Sequence, residues 1–141
     1  MKLKTEENFL IELPNSFREF LIETNGGAVE KNISTKIEFL GGAEIQYFLR
    51  DYSVDDIPTI TEFANLGRFT YPYEFLPIAY DYGGGVILIG ILGEWRGKII
   101  IRHGYEFNDS TGVSEWEYRV IEDNFSTFFE SLESGDEYFF D

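Results

Sequence analysis

The groups in this 141-residue chain that could move protons or hold a metal are one histidine, His103, and 26 acidic residues. A histidine acting as general base needs a nucleophile at hand, and one acting as a metal ligand needs acidic helpers. His103 instead closes an apolar run beside Gly104, which favours a structural or solvated role. Asp51, Asp55 and Asp56 lie close together, but a calcium loop needs ligands at alternating positions, a central glycine and a terminal glutamate. That pattern is missing, so helix capping or a solvated face is the expectation. Gly83-Gly84-Gly85 lacks the Gly-Lys-Ser/Thr of a phosphate loop, and the segment after it reads as strand rather than helix; backbone turn geometry accounts for it. A glycosidase-like pair would need two carboxylates facing one another across a cleft, and sequence singles out no such pair. A hydrolase therefore stands as a rival reading that requires a carboxylate of displaced pKa in a pocket. With no cysteine, thiol chemistry, thiolate metal sites and disulfides are all excluded.

What the chain does have is aromatic surface and negative charge. It carries 14 Phe, 9 Tyr and 2 Trp, and nine tyrosines exceed what a core needs, because each hydroxyl wants a partner or water. The formal net charge is −15, from 26 acids against 11 bases, and from residue 120 onward there are seven acids and no base. Such a charge opposes nucleic acid and anionic membranes and speeds encounter with a basic protein; it also serves plain solubility. Trp95 sits in Gly93-Glu94-Trp95-Arg96-Gly97, a glycine-flanked turn, where it either anchors a partner or packs on the sheet. Glu115 and Glu117 alternate with Trp116, Tyr118 and Val120, which places the charges on the solvent face of a half-exposed strand.

These groups must be positioned by a small set of elements. Leu13, Phe17, Phe20 and Leu21 share one helical face, Ser16 and Glu19 have capping-box spacing, and Asn25-Gly26-Gly27 stops the helix. A shorter helix is expected around residues 7–12. Residues 35–39 and 45–49 read as paired strands across Gly41-Gly42, and residues 53–66 as a helix stopped by Gly67. The stretch 75–103 reads as strand, glycine turn, strand, glycine turn, strand, with segments 75–82, 86–92 and 98–103. Val86-Ile87-Leu88-Ile89 is apolar on both faces and should be a covered central strand. Phe125, Phe128, Phe129 and Leu132 form the stripe of a last helix, capped by Asp123 or Asn124 and ended at Ser134-Gly135. The expectation is one domain over residues 1–141, with a core from about residue 4 to 132 and an acidic, aromatic tail over 133–141. The opening residues lack the apolar core of a signal peptide and no run is long enough to span a bilayer, which points to a soluble cytoplasmic protein.

The order of these segments resembles the SUKH superfamily of cell-wall-assembly regulator-like and bacterial toxin-immunity proteins. The resemblance rests on Leu13-Pro14-Asn15-Ser16-Phe17-Arg18-Glu19-Phe20-Leu21 followed by Asn25-Gly26-Gly27, on Phe75-Leu76-Pro77-Ile78-Ala79-Tyr80-Asp81-Tyr82-Gly83-Gly84-Gly85, and on Phe125-Ser126-Thr127-Phe128-Phe129-Glu130-Ser131-Leu132. It implies an α+β fold with a mainly antiparallel sheet flanked by N-terminal and C-terminal helices. It implies a non-enzymatic protein without a cofactor or metal. It also implies an intracellular immunity protein that binds and neutralises a cognate polymorphic or contact-dependent toxin domain, basic in charge and a nuclease by preference. The alternative is a regulatory or scaffold adaptor of the same fold. Pro14, Gly26, Gly27, Pro77, Gly84 and Gly85 match positions that determine the fold, and Asp81 is the polar exception. The expected partner-binding residues are Tyr80, Asp81, Tyr82, Glu94, Trp95, Glu115 and Glu117, and glycine-rich turns with exposed aromatics leave a homodimer open.

Overall fold

The computed structural model describes residues 2–35, 43–65, 72–81, 85–108 and 113–134. The elements run α1 (Lys4–Phe9), α2 (Asn15–Thr24), β1 (Gly27–Thr35), β2 (Ala43–Phe48), α3 (Ile60–Ala64), β3 (Phe75–Asp81), β4 (Val86–Gly90), a 3-10 turn (Gly93–Trp95), β5 (Ile99–Asn108), β6 (Val113–Glu122), α4 (Phe125–Glu130) and β7 (Glu133–Ser134). The strands form one sheet in the order β6-β5-β4-β3-β2-β1-β7, every neighbouring pair antiparallel. This is the α+β architecture with helices toward both chain ends.

The covered strand is β4: all five of its residues are buried, as a segment apolar on both faces requires. Register shows how. Phe48, Ala79, Ile87, Ile101 and Arg119 form one cross-strand row, and Tyr47, Tyr80, Val86, Arg102 and Tyr118 form the next, so the two rows face opposite ways. On the first face, Phe48 meets α2 through Phe20 at 5.0 Å and α4 through Phe125 at 6.3 Å, and Phe125 also lies 5.0 Å from Phe17. On the second face, Phe63 of α3 meets Tyr80 edge-on at 5.9 Å. Pro77 sits inside a central strand although it has no N–H to donate. The β3–β4 ladder has a register shift between Pro77 and Ala79, where a bulge tolerates a residue without an N–H, and on the β2 side the Ile78 carbonyl accepts from the Leu49 amide at 2.9 Å.

Several sequence expectations shift. The helix of residues 13–21 is α2, but its N-cap is Pro14 without a side-chain cap bond, so the Ser16/Glu19 capping box does not form. The first helix starts earlier than expected, at Lys4, because its caps come from Glu6 and from the distant Asp51. Strand β1 begins at Gly27, directly after the α2 stop, and residues 36–42 of the expected hairpin lie outside the described residues. The helix expected from residue 53 starts at Ile60, where Thr59 caps it through the Glu62 amide at 3.1 Å; residues 53–58 form a loop instead. In α4, Asn124 caps the Thr127 amide at 2.8 Å as read from the sequence, but the helix ends at Glu130 and Glu133–Ser134 add an edge strand beside β1. Val120, assigned to the buried face of β6, is 45% exposed on a strand at the edge of the sheet, and Phe129 of the α4 stripe is 43% exposed.

Candidate binding surface

The acidic groups divide into structural carboxylates and exposed ones. Glu6 is 2% exposed and accepts the Leu3 amide at 3.0 Å, the Leu13 amide at 2.9 Å and Arg18 Nε at 3.1 Å. Burial pushes its pKa up, but the two amides and the Arg18 guanidinium outweigh that and hold it below the usual carboxylate value. Glu6 also borders a cavity of about 350 Å³ shared with Lys2, Leu10, Ile11, Glu12 and Arg18. Glu6 is thus held ionised with its oxygens occupied by amides and a guanidinium, which does not suit it to the role of a proton-donating general acid. Asp55 is also displaced, held low first by its hydrogen bonds from Arg50. No cluster of potential metal ligands occurs among the described residues. No helix among them is long and apolar enough to cross a membrane.

The Asn-Gly-Gly segment has a defined structural task. Asn25 caps α2 in the left-handed conformation, at φ 55°, and its amide donates to the Leu21 carbonyl at 2.8 Å. Its side-chain oxygen accepts the Asp51 and Tyr52 amides at 2.8 and 3.1 Å, and its Nδ2 donates to the Tyr52 carbonyl at 2.9 Å. Gly26 follows at φ 67°, and a Cβ there would lie 2.2 Å from the Leu49 carbonyl oxygen. The motif thus fastens the end of α2 to residues 49–52. Asp51 extends the link to α1, accepting the Lys4 and Thr5 amides at 2.9 and 2.8 Å. The capping expectation for Asp51 therefore holds, although the helix capped is α1.

The structure divides the expected partner-binding residues between two regions. Tyr80 stacks on Tyr47 at 5.8 Å and is half-buried. Burial, followed by the neighbouring Tyr80, raises the Tyr47 pKa above the ordinary tyrosine value. Asp81 is the last residue of β3, paired with Ile45. Tyr82 lies outside the described residues. Trp95 lies at the opposite end of β3, edge-on to Phe75 at 5.6 Å, with Lys98 Nζ 5.9 Å above its ring. Tyr80 lies five residue steps along the strand from Phe75, about 17 Å at ~3.3 Å per residue. Glu94, beside Trp95, is exposed. Glu117 is exposed on β6 and binds Arg119 Nε at 2.7 Å. It alternates with Tyr118, so it points to the face opposite Tyr80. Glu115 occupies β6 opposite Glu106. Tyr80 and Asp81 therefore group apart from Glu94 and Trp95, with Glu117 turned to the other side of the sheet.

Sequence reasoning passed over Glu6 and gave residues 53–58 to a helix rather than a loop. A signal for Glu6 existed in its spacing from Leu3, which places a carboxylate where it can return to the first free amide of a helix. The loop is held in part by Asn25, some 26 residues away, which no local pattern announces, and in part by the nearby Arg50–Asp55 pair.

Among known proteins, no curated protein and no solved structure matches significantly. The family model described as SMI1 / KNR4 family (SUKH-1) matches residues 3–131, from the α1 cap through α4. That span contains the Asn-Gly-Gly clamp, the bulged Pro77 strand and the closing phenylalanine helix, and the chain belongs to the SMI1 / KNR4 family (SUKH-1).

Proposed function

We propose that this protein is an immunity protein that binds and neutralises a cognate toxin domain by stoichiometric protein–protein contact. Membership of a family whose fold includes immunity proteins carries the reading. The charge supports it. A chain of net charge −15 is suited to a basic partner, and nuclease toxins are basic because they hold phosphate. An acidic surface competes for the same cationic groups and raises the association rate by steering. Glu94 and Glu117 are exposed acids that a basic partner could meet. Because Tyr80 and Asp81, Glu94 and Trp95, and Glu117 lie on separate parts of the sheet, one partner face would take only some of the expected residues Tyr80, Asp81, Tyr82, Glu94, Trp95, Glu115 and Glu117.

Co-expression tests this directly. Cells producing the toxin domain encoded beside this gene should survive when this protein is made with it and die without it. Survival that does not depend on this protein would contradict the reading and move the function to an adaptor that binds the cell's own proteins.

A further inference from the structure

The loop between β2 and α3 combines a fixed backbone with exposed side chains. Tyr52 has both its amide and its carbonyl held by the Asn25 side chain, yet the residue is 53% exposed. Arg50 grips Asp55 with Nε and Nη2 at 2.8 and 2.7 Å, and Asp55 in turn accepts the Ile57 amide at 3.1 Å. Arg50 Nη1 also donates to the Asn25 carbonyl at 3.1 Å. Between these restraints Val54 stands 60% exposed and Asp56 is exposed, with no ion pair among the described residues. The core needs none of these three side chains, and an apolar tip on a rigid backbone loses little entropy when a partner covers it.

The charge around the loop selects the partner. The cations at hand are already used within the protein: Arg50 by Asp55 at 2.7 Å, and Lys4 beside Glu7 at 3.9 Å. Asp56 has no ion pair among the described residues and shares a short loop with the exposed Tyr52, four residues before it, and Val54, two residues before it. That set matches a guanidinium, which can pair with a carboxylate, stack on a tyrosine ring and rest its methylenes on valine. A phosphate backbone would meet Asp55 and Asp56 instead and be repelled. We infer that Tyr52, Val54 and Asp56 form a preorganised docking site for an arginine-bearing segment of a protein partner. The inference deepens the immunity reading and rests on it for the identity of that partner.

The test titrates the full-length, 15N-labelled protein with a dodecapeptide carrying three arginines spaced by glycine and leucine, and with the same peptide carrying glutamates. Amide shifts concentrated at residues 51–57, with the arginine peptide alone, are expected. The Tyr52→Ala/Asp56→Asn variant should keep the wild-type melting temperature and bind about tenfold more weakly or worse; Val54→Ser provides a second, milder variant. No shift, shifts elsewhere on the acidic surface, or equal binding by the variants would overturn the inference. A parallel titration with the adjacent toxin domain separates the two failures. A domain that binds wild type and variant alike keeps the immunity reading and removes the loop from it. An arginine peptide that binds the loop while the domain does not bind keeps the loop and removes the immunity reading.

Discussion

Two residues decide whether the N-terminal third assembles. Glu6 holds two backbone amides and Arg18 in a buried position, so Glu6→Gln keeps the shape and removes the charge that strengthens those bonds. A loss of about 2 kcal/mol is expected, read as a fall in the urea midpoint at unchanged slope. The pH dependence has a definite sign. The folded pKa lies below the unfolded one, so this stabilisation is complete above the unfolded value and disappears as pH falls through the folded value. The wild type should therefore lose stability more steeply than Glu6→Gln as the pH drops below about 4.3, the ordinary glutamate value. Gly26→Ala puts a methyl 2.2 Å from a carbonyl oxygen at a positive φ, and should leave little folded protein. Gly97→Ala also has a positive φ, 86°, but meets nothing within 4 Å, so it should cost only about 1–2 kcal/mol. Soluble yield and thermal melting of the two variants separate clash from conformational strain. The Asn-Gly-Gly stop was legible in the sequence; what it fastens was not, because its contacts lie at residues 49–52.

At the scale of elements, legibility follows the range of the interactions. Strand β4 was evident because burial on both faces writes an unbroken apolar run, and α2 and α4 because their stripes repeat at helical spacing. Boundaries set by distant partners were hidden. The helix expected from residue 53 fails because Arg50, Asp55 and Asn25 hold residues 50–57 as a loop, and capping passes to Thr59. The candidate surface was less legible still: sequence spacing gathered Tyr80 to Trp95 into one stretch, while the strands carry them to opposite ends of the sheet. The phenylalanine layer joining α2, β2 and α4 supplies the element-scale prediction. Phe125 is buried and contacts Phe17, Phe20 and Phe48. Phe125→Ala should cost about 3–5 kcal/mol, and Asn124→Ala, which removes only the cap, about 1 kcal/mol. Denaturant unfolding of both variants checks the ratio.

For the whole molecule, the net charge of −15 is the property most directly tied to the proposed function. An acidic protein that captures a basic toxin domain should associate faster at low ionic strength, with the effect fading as the Debye length shrinks to about 8 Å at 0.15 M salt. Glu115→Lys/Glu117→Lys should slow association while leaving the melting temperature near that of wild type, and stopped-flow binding measures the change. Unaltered association and salt dependence would remove both residues from the interface. The most direct test of the central claim is calorimetric titration of the full chain with the product of the adjacent gene as the proposed cognate toxin domain, at low and at high salt, with toxic activity assayed on the same mixtures. One-to-one binding that weakens with salt, and activity lost as the equivalence point is reached, is the predicted result. A toxin domain that stays fully active at saturating concentrations of this protein would contradict it.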